Sequence, residues 1–310
     1  MSALALELPF AQRASFGKRT VLGSHRLAEH ELFTDAALID LLDRFPREHL
    51  YAFSTGTDPT RVDQNQAARH DGVSGSDLLR AVRKGRLWLN VTRVDRADRN
   101  YRRLIDDLYL SLSTQIPGFL PRSSQGTLLI SSPGAHVYYH ADGPASTLWH
   151  IRGRKRLWIY PELDPRYMQR ELLEDIFAGV RHEYLPYQAD YDEEAQVHEL
   201  QPGQWICWPQ NAPHRLCNHD SLNVSLSTEH FTAASRRRFQ LYIANRFFRT
   251  RLGVRNLSLR EDGVIALGKT WVQRAAHRLG LNPLQFRRHV PTLRVAADAP
   301  GGVVALDAKV

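Results

Sequence analysis

GQWICWPQNAPHRLCN, residues 203–218, sets one glycine, two prolines, two asparagines and a histidine around two short runs, QWICW and HRLC. QWICW, with two tryptophans and an isoleucine, and HRLC read as short strands, and the PQNAP between them is a turn. His214 stands just after that turn. About 70 residues upstream, GAHVYYHADGPASTLWHIRGRKRLWIYP (134–161) has the same β-rich texture and crowds polar residues onto it. In a strand, residues two apart face the same side, so His140 and Asp142 can take adjacent positions on one cation. Alone, an H-x-D triplet is weak, because most such triplets are solvated surface.

Outward from these stretches the chain divides in three. Residues 1–125 read as an α/β flank. It holds a helix over 33–46, a strand over 49–54, a Ser-capped helix over 74–85, a strand over 86–94 and a helix over 99–115. From 126 to 232 short β-rich runs dominate: GTLLISS, HVYYHAD, STLWHI, KRLWIYP, QVHEL, QWICWP, HRLCN and LNVSLSTEH. A helix-bearing insertion at about 162–200 interrupts them. Many short strands with regular turns indicate a sandwich or barrel. Residues 233–310 read as helical and basic, with a helix over NPLQFRRHV and a frayed last fifteen residues.

Composition bounds the remainder. Hydrophobic content of 43% and charged content of 24% are those of an ordinary globular chain of 310 residues. No run approaches the ~18 apolar residues of a membrane helix. The N-terminus is a poor signal peptide, and two cysteines imply no disulfide framework, so the expected compartment is the cytoplasm. Residues 236–294 hold 14 of the 41 Lys+Arg and two of the 33 acids, leaving 27 basic against 31 acidic residues elsewhere. Such asymmetry marks either an anionic partner or amphipathic helices with basic outer faces.

The 203–218 stretch resembles the second motif of the cupin superfamily: Gly203, five residues, Pro209, one residue, Asn211, two residues, His214, three residues, Asn218. Asn211 stands where glycine is usual, and asparagine is the most tolerant substitute if the turn needs positive φ. The first motif also begins as in the family, with Gly134, five residues, then His140. It departs at Asp142, where the family has its second histidine. That variation resembles the JmjC and cupin-like hydroxylases. The resemblance implies a mainly β protein with a double-stranded β-helix (jelly-roll) core at 126–232. It also implies Fe(II) held by His140, Asp142 and His214, two histidines and a carboxylate leaving open positions, with 2-oxoglutarate as cosubstrate. A cupin with an empty site is the alternative.

In these hydroxylases a lysine following the H-x-D strand, just past an I-x-G-x-K hairpin, binds the distal carboxylate of 2-oxoglutarate. Ile151-Arg152-Gly153-Arg154-Lys155 matches it. Lys155 shares a strand face with Leu157 and Ile159, which places it inward, with Arg154 and Arg156 outward; the competing reading makes all of RGRKR a solvated turn. Tyr138, on the parity of His140 and Asp142, and Thr147 are candidate cosubstrate contacts, since Val137 occupies the place where related enzymes often have threonine. Asn223, Ser225 and Ser227 form a polar row that faces either the barrel interior, where it suits a polar cosubstrate with Asn223 as a further candidate contact, or solvent. His136, His150, Trp149, Trp205 and Trp208 read as structural, and Cys207 and Cys217 lack zinc-site spacing.

The resemblance implies a 2-oxoglutarate-dependent dioxygenase that hydroxylates a C–H bond, with no catalytic residue beyond the metal site. The expected substrate is a protein or peptide side chain, and the acidic DYDEEA (190–195) favours a basic one. A small-molecule hydroxylase of the same chemistry, a metal-dependent cupin that uses oxygen without 2-oxoglutarate, and a non-enzymatic sensing cupin are the alternatives. The C-terminal helices are expected to dimerise, ahead of a nucleic-acid contact.

Overall fold

The computed structural model describes residues 6–281 and 289–306. Its strands are β1 (Val21–Ser24), β2 (Leu50–Ser54), β3 (Gln66–Arg69), β4 (Leu87–Val91), β5 (Arg122–Ser131), β6 (His136–His140), β7 (Ala145–Arg152), β8 (Lys155–Ile159), β9 (Gln196–Leu200), β10 (Gln204–Cys207), β11 (His214–Asn218), β12 (Asn223–Phe231), β13 (Leu293–Val295) and β14 (Val303–Ala305). The α-helices are α1 (Asp35–Arg44), α2 (Gly75–Lys84), α3 (Val94–Ala97), α4 (Arg99–Gln115), α5 (Arg170–Phe177), α6 (Ala233–Leu252) and α7 (Val264–Arg278).

From β5 to β12 the chain passes back and forth between two sheets. One contains β10-β7-β12-β5 and the other β6-β11-β8-β9, with antiparallel neighbours throughout both. This is the double-stranded β-helix. Period-two alternation closes it: along β8, Lys155, Leu157 and Ile159 are buried, whereas Arg156 is exposed. Leu148, Leu157, Ile159, Ile206 and Leu216 pack between the sheets.

The flank is built onto this barrel. β4, β2 and β3 continue the β5 edge, and β1 covers the opposite edge at β10. Leu104, Ile105, Leu108 and Leu112 of α4 are buried in the core that backs this sheet, each contributing roughly 1.5–3 kcal/mol. Gly126 of β5 lies under Ile105, where a Cβ would collide with that side chain. Helix ends follow local chemistry: Ser74 accepts from Asp77 N to cap α2, Thr232 and Ser235 form a capping box on α6, and Gly253 (φ 68) ends α6 in the left-handed region.

Three local expectations are corrected. The C-terminal segment is not wholly helical: β13 pairs parallel to β3 and β14 pairs with β13, so the described part of the last fifteen residues includes a strand, and residues 307–310 lie outside the described residues. The insertion helix is shorter than the proline-started 165–181, because a turn occupies residues 165–167 and Gly179 (φ 72) follows its end. In DYDEEA, Asp192 is taken by Arg215, Tyr160 and Tyr187, and Asp190 and Glu194 share Arg166, so two arginines partly neutralise the four acids. Residues 282–288, within NPLQFRRHV, lie outside the described residues.

Candidate metal centre

His214 and His140 are register partners on β11 and β6, with ring centroids 4.1 Å apart. Asp142 lies just past the end of β6. Its carboxylate oxygens stand 3.9 Å from His140 Nε2 and 3.6 Å from His214 Nε2, and one ligand atom from each of the three lies within 4.8 Å of the others. These three side chains form a group able to hold a metal ion.

The imidazoles are oriented by the backbone. His140 Nδ1 lies 2.7 Å from Tyr138 O and His214 Nδ1 lies 3.0 Å from Ala212 O. A carbonyl only accepts, so each Nδ1 carries the proton and each Nε2 presents its lone pair to the shared space. Burial, reinforced by the neighbouring His140, pushes the His214 pKa down to about 4, so the ring is neutral near pH 7. Trp208 packs on His214 at 4.5 Å. Asn211, at φ 70, donates from Nδ2 to Asp142 O at 2.7 Å. The residue that replaces the usual glycine thus keeps the left-handed turn and also ties down the loop carrying Asp142.

The group opens into a cavity of about 300 Å³. Lys155 lines the same cavity and is 2% exposed. Its Nζ donates to Ser225 Oγ at 3.2 Å, and among the described residues no carboxylate pairs with it. Burial lowers its pKa to about 8. A buried ammonium with one hydroxyl partner retains two free donors and an uncompensated charge, which is the local signature of an anion site.

The polar row of β12 faces inward. Ser227 lines the cavity, Ser225 bonds Lys155, and the row continues to Glu229. Gln125 donates to Glu229 at 2.6 Å, while burial and nearby Asp142 push the Glu229 pKa up to about 7.

Three expected contacts are placed elsewhere. Two residues of β6, Tyr138 and Tyr139, oppose only Arg215 of β11, because the register runs His214↔His140 and then Leu216↔Val137. This bulge breaks the parity argument. Val137 lines the cavity with His140, while the Tyr138 hydroxyl accepts from Gly56 N at 3.0 Å. Thr147 is fully buried on the parity of Trp149, which packs in the flank core, and Leu148 takes the cavity face. Asn223 donates to Ser221 O at 2.9 Å and packs against Gly153, outside the cavity lining.

Sequence reasoning missed one wall. Trp88 and Asn90 of β4, Thr92 just past it, and Gln125, Thr127 and Ser131 of β5 line the cavity, and Glu183 of the insertion sits exposed at it. The alternation of polar residues in WLNVT and QGTLLIS was the available signal. The insertion reaches the site because Tyr184 forms a bridge with His140. His136 contacts Cys217, and Trp149 and Trp205 are core, as expected for structural residues.

No protein-family model matches the chain, and no curated protein matches it. Among solved structures the chain is similar to YcfD of Escherichia coli, with 14% identity and a TM-score of 0.49 over 95% of this chain and 76% of that one. YcfD, described as a ribosomal oxygenase, in complex with cobalt and 2-oxoglutarate aligns at 14% identity and a TM-score of 0.47, over 94% of this chain and 75% of that one. The DMSP lyase DddQ from Ruegeria pomeroyi aligns over 36% of this chain and 40% of that one, at 12% identity and a TM-score of 0.24.

Proposed function

We propose that the chain is an Fe(II)- and 2-oxoglutarate-dependent oxygenase that hydroxylates a C–H bond of a protein or peptide side chain. One observation carries this reading: the His140–Asp142–His214 group and the unpaired Lys155 ammonium open into one cavity. Two imidazoles and a carboxylate suit Fe(II) and leave positions open for exchangeable ligands. Bound there, the iron supplies oxygen activation coupled to decarboxylation of 2-oxoglutarate.

The chain's own residues bind, orient and shield. His140, Asp142 and His214 hold the metal, and Lys155 receives the distal carboxylate, with Ser227 and Thr127 as nearby hydroxyls. Val137, Leu148, Trp208 and Leu216 form an apolar wall that limits water. Glu183 and Glu229 give the cavity acidic groups besides Asp142, which suits a basic side chain of the substrate. No acid–base pair is required of the protein.

The C-terminal helices favour a second copy of the chain as partner. Val264, Ile265, Leu267 and Trp271 of α7 are exposed, Trp271 by 65%. Arg238, Arg246 and Arg249 are committed to Glu261, Asp175 and Glu174, which weakens the nucleic-acid reading. Among the described residues no helix is long and apolar enough to cross a membrane. The free thiols of Cys207 and Cys217 fit a reducing cytoplasm.

The test is succinate formation from 2-oxoglutarate with Fe(II) and a panel of basic peptides, comparing wild type with His140→Ala and Asp142→Ala. Wild-type turnover lost in both variants supports the reading. No succinate with any peptide, together with no iron binding, overturns it.

A further inference from the structure

His150 is fully buried on β7 and lies outside both the metal group and the cavity lining. Its two nitrogens are nevertheless engaged, and the polarity of each contact is forced. Nε2 lies 2.9 Å from Gly153 O, and a carbonyl accepts only, so Nε2 carries the proton. In the neutral ring Nδ1 is then an acceptor, and the Ser225 hydroxyl, 3.0 Å away, donates to it. With its proton so placed, Ser225 Oγ offers only lone pairs to Lys155 Nζ at 3.2 Å. The chain of contacts from Gly153 to Lys155 therefore runs in one direction.

The hairpin that delivers Lys155 also supplies the start of this chain. Gly153 has φ +83, and a Cβ there would meet Asn223 Nδ2 and Leu222 O, each at 2.6 Å. That fit fixes the carbonyl to which His150 is bonded. Burial, with Lys155 adding to it, drives the His150 pKa down to about 3, so the ring stays neutral across the physiological range.

We propose that His150 is a positioning residue for the anion site: through Ser225 it holds the Lys155 ammonium, leaving two N–H donors for the carboxylate of 2-oxoglutarate. The proposal rests on the reading of Lys155 as the cosubstrate anchor. A donor in place of the Ser225 lone pairs would oppose the ammonium, and a protonated imidazole would repel it. The other titratable groups around the relay are His25 behind it and His140, Asp142, His214, Glu183 and Glu229 across the cavity; none is bonded to Lys155.

The experiment is calorimetric titration of 2-oxoglutarate into the Mn(II)-loaded full chain between pH 6.5 and 9.5, for wild type, Lys155→Ala, His150→Leu, His150→Asn, Ser225→Ala and Ser225→Thr. Binding weakens at high pH as Lys155 loses its proton. Without an acceptor on Ser225 the ammonium is less favoured, so that limb moves to lower pH. His150→Leu and Ser225→Ala are expected to weaken binding about tenfold at pH 7 and to shift the limb, as loss of a supporting partner does at other ligand sites. His150→Asn, which keeps an acceptor near Nδ1, and Ser225→Thr, which keeps the hydroxyl, are expected to restore both. If His150→Leu does not fold, Ser225→Ala tests the same link with a smaller truncation. Weaker binding with an unmoved limb overturns the relay, and so does unchanged binding in Ser225→Ala. Unchanged binding in Lys155→Ala overturns the anchor reading itself, a distinct result.

Discussion

His140 and His214 face each other as register partners on adjacent antiparallel strands, with both Nδ1 atoms bonded to backbone carbonyls and both Nε2 atoms turned to Asp142. Each ring is held by the backbone two residues before it, so removing one ring leaves the other in place. Alanine at either histidine is expected to lower Mn(II) affinity more than about 100-fold, beyond the effect of losing a supporting partner, with the far-UV spectrum unchanged. Competition titration against a fluorescent chelator measures it, and wild-type affinity in either variant would remove that ring from the ligand set.

Asn211 separates backbone need from side-chain need. Asn211→Gly keeps the left-handed turn but deletes the bond to Asp142 O. Its expected signature is about tenfold weaker Mn(II) binding, with stability lowered by only ~0.5–1.5 kcal/mol. Asn211→Ala deletes the same bond and also puts a Cβ at positive φ, so it should lose ~1–2 kcal/mol more in urea melts. Equal stabilities of the two variants would show that the turn carries no such strain.

What was legible in the sequence was whatever depends on fixed spacing along one strand or turn. The interval from Gly203 to Asn218 encodes a strand, a turn needing φ 70 and a second strand, and the His140–Asp142 interval encodes a shared direction. Lys155 was readable because β8 alternates without interruption. Tyr138 was misread because a bulge is set by the partner strand, and nothing within HVYYH announces it. The walls contributed by Asn90 and Glu183 depend on pairings about 40 residues away in sequence, Asn90 with Leu129 and Tyr184 with His140. Likewise β13 and β14, three residues each, carry too little local pattern to reveal that they pair with the β3 edge.

Acid should unfold the metal-free protein well before its carboxylates are fully protonated. Burial depresses His25, His214 and His230 to about 4 and His150 to about 3, all from 6.5. A depressed histidine binds fewer protons folded than unfolded. Its contribution is therefore present above pH ~6.5 and is lost as pH falls toward the folded value, by at most about 1.4 kcal/mol per pH unit each. Glu229 has the opposite sign: raised to about 7, it stabilises the fold at low pH and loses that contribution as pH rises from 4.5 through about 7. His136, His198 and His289 are lowered in the same sense, while Glu174 and Glu183 are raised like Glu229; the histidines prevail, so the melting temperature should climb from pH 4.5 to 6.5. A flat profile would mean that these rings are not buried neutral.

Helix α7 is inside out for an isolated chain. Ala266, Lys269, Gln273 and Ala276 face inward, with Lys269 Nζ bonded to Asn245 Oδ1 at 2.7 Å and Ser258 O at 2.8 Å, while Ile265 and Trp271 face outward. The double variant Ile265→Glu/Trp271→Glu should convert a dimer to a monomer in sedimentation without changing helix content. Two lost apolar contacts of roughly 2 kcal/mol each weaken association on the order of 1,000-fold. A wild type that is monomeric at high concentration would sink the dimer.

Lys155→Met sets stability against binding. The ammonium is buried at 2% exposure, with Ser225 Oγ as its bonded partner, and its lowered pKa of about 8 reports the strain of holding charge there. Methionine has a similar length and no charge to desolvate, and Leu157 on the same strand face shows that apolar side chains pack there. Removing the charge should raise the stability of the metal-free protein by ~1–3 kcal/mol in urea melts, at the low end because Ser225 then loses a partner. The same substitution should abolish calorimetric binding of 2-oxoglutarate to the Mn(II) form while leaving Mn(II) affinity intact. Both effects have one cause, since the uncompensated buried charge is what draws the carboxylate into the cavity. A variant that is destabilised and still binds 2-oxoglutarate would show instead that Lys155 is a structural cation, with the anion held elsewhere in the cavity.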